Sequence, residues 1–195
     1  KMKKLLSILT TVAVICCLLG VSAAADASAK VYVTVANGGL ELANSEVTVT
    51  DIDGDGALTI NDALYAAHES YFKGGAAAGY ASEMSDYGLM LTKLWGIENG
   101  GSYGYYVNNA SAWSLADPVK DGDYVNAFVY QDTKAFSDRY CYFDKAVADV
   151  NQGENPAFVL NGVYFDENYT AYSAPIAGAE ITVNGEKTGI VTDEE

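Results

Sequence analysis

Residues 51–62 constrain the fold more than any other stretch, because they place four carboxylates in twelve positions. Counted from Asp51, the carboxylates stand at positions 1, 3, 5 and 12, with Gly56 at position 6 and a hydroxyl at position 9. Alternate side chains of a tight turn point inward, and glycine adopts the backbone angles of the sharp bend. Because the carboxylates repel one another, we expect this stretch to need a cation to become well ordered.

The spacing is that of an EF-hand calcium loop, so it predicts a Ca²⁺ site. The predicted ligands are five side chains and the carbonyl oxygen of position 7, namely Asp51, Asp53, Asp55, Ala57, Thr59 and Asp62. Position 12 is aspartate rather than the longer glutamate, so we expect an affinity of about 10⁻⁴ to 10⁻³ M, as in extracellular modules. An ordinary polar turn is the alternative interpretation of the Asp-Gly-Asp-Gly run.

A helix is predicted directly after this loop, over residues 61–73. Thr59 and Asp62 form a capping pair, and a pair of glycines follows the helical pattern as a stop. Leu58, at position 8 of the loop, is expected to pack into the core. His68 is the single histidine of the chain, and without a partner motif a packing or hydrogen-bonding role is favoured over catalysis.

The first 25 residues have the pattern of a secretory signal peptide, with lysines, an apolar run over 5–21 and small residues at 22–25. A membrane anchor is the alternative, although the apolar run is short. Cleavage near Ala25 removes three lysines and no acid, which leaves 8 basic and 26 acidic residues, a net charge of −18. Such a charge disfavours nucleic acid and anionic lipid as partners, and we expect no membrane insertion after cleavage.

Loss of residues 1–25 also leaves Cys141 as the single cysteine, so no internal disulfide is expected. An exported chain without sulfur bridges fits a bacterial surface protein that is stabilised by metal instead. Cys141 is predicted to be a small buried residue rather than a reactive thiol.

Six runs of β-branched and aromatic residues predict strands. They lie at residues 31–35, 47–50, 89–95, 103–108, 123–131 and 139–143. Residues 76–87 are rich in alanine, glycine and serine and are predicted to form an irregular loop, and 121–123 a tight turn. These elements predict a mostly β chain of the α+β class, in which a mixed sheet carries one main helix on one face.

Four short runs carry a family resemblance: LWG at 94–96, GYYVNN at 104–109, DGDYV at 121–125 and FVY at 128–130. They resemble the transcobalamin-like C-terminal domain of bacterial surface proteins, which implies a β-grasp-like fold over residues 26–144. The loop and helix at 51–73 resemble the EF-hand or dockerin-type insert of some such domains. Vitamin-binding relatives contact a corrinoid, but this sequence holds no counterpart of their helical partner domain, so corrinoid binding is not expected.

The remaining residues have a different character. Residues 145–156 are predicted to be a linker, and strands are predicted at 158–164, 179–183 and 189–192, with a hairpin turn at Asn184-Gly185. This pattern resembles the opening of an immunoglobulin-like or carboxypeptidase-regulatory-like β-sandwich. Because three strands do not bury both faces, residues 157–195 are expected to be an incomplete β-sandwich domain of a longer chain.

No spacing predicts a catalytic constellation, a phosphate-binding glycine loop or a zinc site, so enzyme activity is not expected. Aromatic residues cluster between positions 95 and 113, where core packing is the favoured interpretation. Trp113, which lies among small polar residues, and Tyr105 are the candidate ligand-contacting residues.

The sequence therefore predicts a secreted, calcium-binding, non-catalytic module at the extracellular cell surface, for ligand recognition or adhesion. The expected partner is a small molecule, a glycan or a surface protein. Two alternatives stay open. One is a dockerin-like assembly module, although dockerins pair two loop-helix repeats. The other is a carbohydrate-binding appendage of a larger extracellular enzyme.

Overall fold

The computed structural model of the chain describes residues 28–194. The predicted signal peptide at residues 1–25 lies outside the described residues. Within residues 28–194 the structure is mostly β, as predicted. No helix in this part of the chain is long and apolar enough to cross a membrane.

Twelve strands and two helices form within the described residues. The strands are β1 (Ser28–Ala36), β2 (Leu40–Thr50), β3 (Ala81–Ser85), β4 (Gly88–Lys93), β5 (Tyr103–Val107), β6 (Ala110–Ser111), β7 (Tyr124–Val129), β8 (Cys141–Phe143), β9 (Leu160–Phe165), β10 (Ala171–Pro175), β11 (Glu180–Val183) and β12 (Glu186–Val191). The helices are α1 (Ile60–Tyr71) and α2 (Gly75–Gly79).

A five-stranded mixed sheet in the order β2-β1-β7-β5-β6 is the centre of the structure. β1 pairs antiparallel with β2 and parallel with β7, whereas β5 pairs antiparallel with both β7 and β6. A parallel pair requires a long crossover connection, and the chain between β2 and β7 includes α1. The predicted mixed sheet with one main helix is therefore present.

Strand alternation gives the central sheet two different faces. The inner face packs against α1, and its fully buried side chains include Val31, Val33, Val35 and Val125. The opposite face, here called the outer face, carries the intervening side chains Tyr32, Thr34, Tyr106, Tyr124, Asn126 and Phe128. The outer face is therefore polar and aromatic where the inner face is aliphatic.

Helix α1 forms where the sequence predicts it. Thr59 is the N-cap, and its side chain and that of Asp62 form the reciprocal capping box. The fully buried residues of the helix include Ile60, Ala63, Leu64, Ala67 and His68. The helix ends at Tyr71, and Gly74 and Gly75 then take the left-handed φ angles of 98° and 72°.

Residues 138–143, here called the strap, lie against the outer face and end with β8. The ring of Tyr140 stacks on Tyr106 of the central sheet, with 3.8 Å between centroids and 7° between planes. Cys141 is exposed, so its predicted burial is wrong. The physical reason is its place on the edge strand β8, where it pairs with Gly162, which has no side chain to cover it.

The prediction of an irregular loop at 76–87 is also wrong, because these residues contain most of α2 and all of β3. β3 pairs antiparallel with β4 around a turn at residues 86–87, and Gly88, the first residue of β4, has a φ of 108°. The large apolar residue of β3, Met84, is exposed, so the strand lacks the apolar alternation by which strands are recognised. Backbone pairing with β4 defines it instead.

The C-terminal residues form a three-stranded antiparallel sheet, β10-β9-β8, and the hairpin β11-β12. The predicted hairpin turn is confirmed, since Asn184 and Gly185 have positive φ angles of 52° and 83° between paired Val183 and Glu186. Strand β10 was not predicted, and its side chains are mostly exposed.

The core between α1 and the central sheet predicts a strong effect of shortening Leu64, which is fully buried. Leu64→Ala is expected to lower the free energy of unfolding by about 2–5 kcal/mol, because it leaves a cavity. Urea unfolding followed by circular dichroism measures this. Leu40→Ala is the matched control, since Leu40 is 71% exposed. Equal losses of unfolding free energy in the two variants would contradict the packing of Leu64 in the core.

Candidate metal centre

Three of the predicted metal ligands lie together in the loop between β2 and α1. Asp51, Asp53 and Asp55 each present a carboxylate oxygen, and these oxygens lie within 4.8 Å of one another. Asp51 is partly buried, whereas the other two are exposed to solvent. Oxygen atoms bound to one Ca²⁺ at about 2.3–2.6 Å lie at comparable separations. The group could therefore hold a metal ion.

Backbone N–H groups of the loop hold the Asp51 carboxylate in place. Its Oδ1 accepts from Gly54 at 2.7 Å and from Asp55 at 3.2 Å, and its Oδ2 accepts from Gly56 at 2.8 Å. These hydrogen bonds, that from Gly56 first, lower the pKa of Asp51 because they favour the charged carboxylate. Gly54 and Gly56 have positive φ angles of 76° and 88°, which direct their N–H groups inward.

Asp53 has the opposite electrostatic environment. Its pKa is raised, first by partial removal from water and then by the nearby carboxylates of Asp55, Asp62 and Asp51. The folded loop therefore disfavours the charged form of Asp53. A cation between the carboxylates would reverse the sign of this effect.

Asp62 lies beside this group rather than within it. It is fully buried, and its Oδ1 accepts the N–H of Ile52 at 3.0 Å. Its Oδ2 accepts the N–H of Thr59 at 2.8 Å and the hydroxyl of Thr59 at 2.6 Å. A carboxylate accepts about four hydrogen bonds, so most of its capacity is in use. Coordination of a metal by Asp62 stays a prediction, and its observed role is to close the loop.

The other two predicted ligands are Thr59, which is the N-cap of α1, and Ala57, two residues before it. The hydroxyl of Thr59 bonds to Asp62 and is buried, so in this structure it belongs to the helix cap. Ala57 is exposed, and its N–H donates to Asp55 at 2.8 Å. Both residues lie in the loop as predicted, and their role as ligands stays a prediction.

A segment that sequence reasoning missed anchors the end of the loop. Thr59 forms an antiparallel bridge with Pro118, and the N–H of Val119 donates to the carbonyl of Leu58 at 2.8 Å. The side chain of Leu58 packs against the core, as predicted. Residues 115–119 carry little sequence signal for this role, because no alternation marks them as a strand. Buried Leu115 is their clearest indication.

Asn61 connects the acidic loop to Tyr80 and to strand β3. Its Oδ1 accepts from the hydroxyls of Tyr80 at 2.6 Å and Ser82 at 2.9 Å, while its Nδ2 donates to Asp53 at 3.4 Å. Burial raises the pKa of Tyr80, so its hydroxyl remains a donor at neutral pH. The orientation of Asp53 is thus coupled to buried residues outside the loop.

His68 has the packing and hydrogen-bonding role that the sequence predicts. Its Nδ1 lies 2.6 Å from the carbonyl oxygen of Leu64, and its Nε2 accepts the N–H of Trp95 at 2.9 Å. The rings of Trp95, Tyr80 and Phe72 surround it at centroid distances of 4.9, 5.1 and 6.0 Å. Because Nε2 accepts, the neutral tautomer with hydrogen on Nδ1 fits this site, and burial lowers the pKa of His68.

The two candidate ligand-contacting residues do not form one site. The side chain of Trp113 is 91% exposed, in agreement with its predicted position in an open loop. Tyr105 is half-buried and packs against the core. Among the described residues, no ring contact joins the two.

Comparison of the chain with models of known protein families found no match, and comparison with curated proteins found none either.

The environment of His68 predicts a pH dependence of stability. Its folded-state pKa lies below the ordinary value of 6.5, so below that pH the unfolded chain binds a proton more readily than the folded chain. The contribution of neutral His68 to the free energy of unfolding is complete above pH 6.5 and is lost as the pH falls below it. We expect the free energy of unfolding to decrease between pH 7.5 and about 5.5.

The control is His68→Gln, which lacks the titrating group. This variant is expected to be less stable at pH 7.5 by about 1–3 kcal/mol, because the N–H of Trp95 loses a well-placed acceptor. Its stability should change less over the same pH range. Urea titrations at each pH measure both effects. If the free energy of unfolding changes equally with pH in the two proteins, the pH dependence does not come from His68.

Proposed function

We propose that this chain is a calcium-binding, non-catalytic recognition module of an exported cell-surface protein. The observation that carries the metal part is the group formed by Asp51, Asp53 and Asp55, whose carboxylate oxygens lie within 4.8 Å of one another. Both ends of the loop are fixed by hydrogen bonds, through Asp62 and through the bridge to Pro118.

Calcium suits the chemistry of this group better than a transition metal. The donors are carboxylate oxygens, which hard cations prefer, and the group contains neither histidine nor cysteine. The glycine at position 6 and the spacing of the acids support an EF-hand loop. Bound Ca²⁺ would supply positive charge, while Asp51 is held in its ionised form by the loop N–H groups.

The topology supports the β-grasp-like fold that the resemblance implies. A β-hairpin, a helix on one face and a central parallel pair of strands β1 and β7 occur in the order that such a fold requires. The hairpin β3-β4 is then an addition between the helix and the third strand of the sheet. A transcobalamin-like recognition module is consistent with this arrangement.

The anchoring of the loop favours a self-contained site over a dockerin-like pair. The backbone at Leu58 and Thr59 pairs with residues 118–119 of the same chain. A second loop-helix repeat is therefore not needed to order this part of the loop. The function proposed for calcium is to stabilise the module, and recognition lies elsewhere on its surface.

The proposal predicts that Ca²⁺ raises the melting temperature of the protein. At 10 mM Ca²⁺, which is about ten to one hundred times the expected dissociation constant, binding adds about 1.4–2.7 kcal/mol, or roughly 3–10 °C. Asp53→Asn should abolish this response. In excess EDTA the variant should be no less stable than the parent protein, because the charge of Asp53 is opposed in the folded loop. Differential scanning calorimetry with and without 10 mM Ca²⁺ tests both points.

Asp166→Asn is the matched control for this experiment. The Asp166 carboxylate also accepts two backbone N–H groups in an exposed turn, from Asn168 and Thr170, each at 2.8 Å. This variant should keep the full calcium response. A parent protein without a calcium-dependent shift, or an Asp53→Asn variant that retains one, would refute the proposed metal site.

A further inference from the structure

A cleft of about 420 Å³ lies between the outer face of the central sheet and the strap. Small-molecule sites have volumes of about 300–1,000 Å³, so the cleft has the size of a ligand site. Its walls come from β1, β2 and β7 on one side and from the strap on the other. No residue of the loop at 51–59 lines it, so it is separate from the candidate metal centre.

Three tyrosines give the cleft flat apolar surfaces whose positions are fixed. One face of the Tyr124 ring is covered by Tyr32, with 5.1 Å between centroids and 20° between planes. Tyr140 is held by its stack on Tyr106 at 3.8 Å, and the hydroxyl of Tyr142 donates to Ser173 at 2.9 Å. Because these rings are already ordered, a ligand would lose little free energy in ordering them.

Asparagine amides supply hydrogen-bonding groups to the cleft. Four of them line it, Asn44, Asn108, Asn109 and Asn126. Asn108 already donates to Asp123 at 2.8 Å and accepts the N–H of Tyr124 at 2.9 Å, so the free capacity lies in the other three. The Oδ1 of Asn109 accepts from the hydroxyl of Tyr140 at 2.8 Å, which fixes the amide beside the ring. An amide offers two donors and an acceptor with two lone pairs, so this contact leaves further capacity for a ligand.

The charge of the cleft differs from that of the protein as a whole. The chain has a formal net charge of −15, yet the lining contains one acidic and one basic residue next to its amides and tyrosines. These two, Asp144 and Lys145, lie 3.7 Å apart and form an ion pair. The lining is therefore close to neutral and does not favour a strongly charged ligand.

From this lining we infer that the cleft binds a neutral saccharide unit of a glycan. A pyranose ring has apolar C–H faces that stack on tyrosine rings and hydroxyl groups that bond to amides. The inference deepens the proposed recognition role and rests on it, since it names the ligand class and the surface. It places recognition at the cleft rather than at exposed Trp113.

Isothermal titration calorimetry of the full chain with defined hexasaccharides tests the inference. The neutral probes are the hexamers of β-1,4-glucan, α-1,4-glucan, β-1,4-xylan and β-1,4-mannan, and the acidic probe is hexagalacturonate. At least one neutral probe should bind with a dissociation constant below 1 mM. Hexagalacturonate should bind at least tenfold more weakly than that probe.

Variants at one ring assign the binding to the cleft. Tyr124→Ala should weaken binding of the neutral probe about tenfold or more. Tyr124→Leu keeps an apolar contact with Tyr32 but lacks the flat ring, so it should show a similar loss in a folded protein. Tyr87→Ala and Trp113→Ala are matched controls, because these side chains are 88% and 91% exposed and do not line the cleft. Both should bind as the parent protein does.

Three outcomes would overturn the inference: no binding of any neutral probe, equal binding of hexagalacturonate, or a loss caused by Trp113→Ala but not by Tyr124→Ala. The calcium response and the saccharide binding of the parent protein, measured separately, distinguish the two proposals. Saccharide binding without a calcium response in the parent protein would refute the metal site alone. A calcium response without saccharide binding would refute the cleft alone.

Discussion

The buried carboxylate of Asp62 is the interaction on which the rest of the structure depends. It accepts the N–H of Ile52 and both the N–H and the hydroxyl of Thr59, so one side chain closes the acidic loop and caps α1. Without it, donors at a buried position would lack partners, at a cost of about 1–3 kcal/mol for each. The positions of Asp51, Asp53 and Asp55 follow from this closure, because their loop begins and ends at residues that Asp62 holds.

The two faces of the central sheet carry different kinds of side chain. The inner face is aliphatic and packs against α1, and the fully buried valines of β1 and β7 lie there. The outer face presents tyrosines and asparagines, which combine flat apolar rings with hydrogen-bonding groups. The strap covers part of this face through the stack of Tyr140 on Tyr106. The cleft thus lies where the strap leaves the outer face of the central sheet uncovered.

The parts of the structure that could be predicted from the sequence are those with local causes. The capping pair of Thr59 and Asp62, the alternation of β1 and the turn at Asn184-Gly185 each depend on residues a few positions apart. The pairing of Thr59 with Pro118 depends on distant residues, and no periodic pattern marks residues 115–119. Exposed Cys141 shows the same limit, since its surroundings depend on where the strap crosses the sheet.

The candidate metal centre and the cleft differ in the same way in how far the sequence predicts them. The spacing of the acids predicts Asp51, Asp53 and Asp55 as neighbours, and the structure brings them together. The cleft could not be predicted, because Asn44, Tyr124 and Tyr142 come from separate strands and share only outward positions on them. Outward polar residues of a strand are ordinarily solvated, so their pattern does not indicate which of them meet.

The electrostatics of the loop explain how three carboxylates stay close in a chain that is already strongly acidic. The N–H groups of Gly54 and Gly56 point at Asp51 and offset its charge, which is why its pKa is lowered. Asp53 receives less compensation, and its raised pKa reflects partial desolvation together with the surrounding negative charge. Backbone N–H groups thus offset the charge of Asp51, and the repulsion that remains is concentrated at Asp53. A bound cation would act where this residual repulsion is greatest.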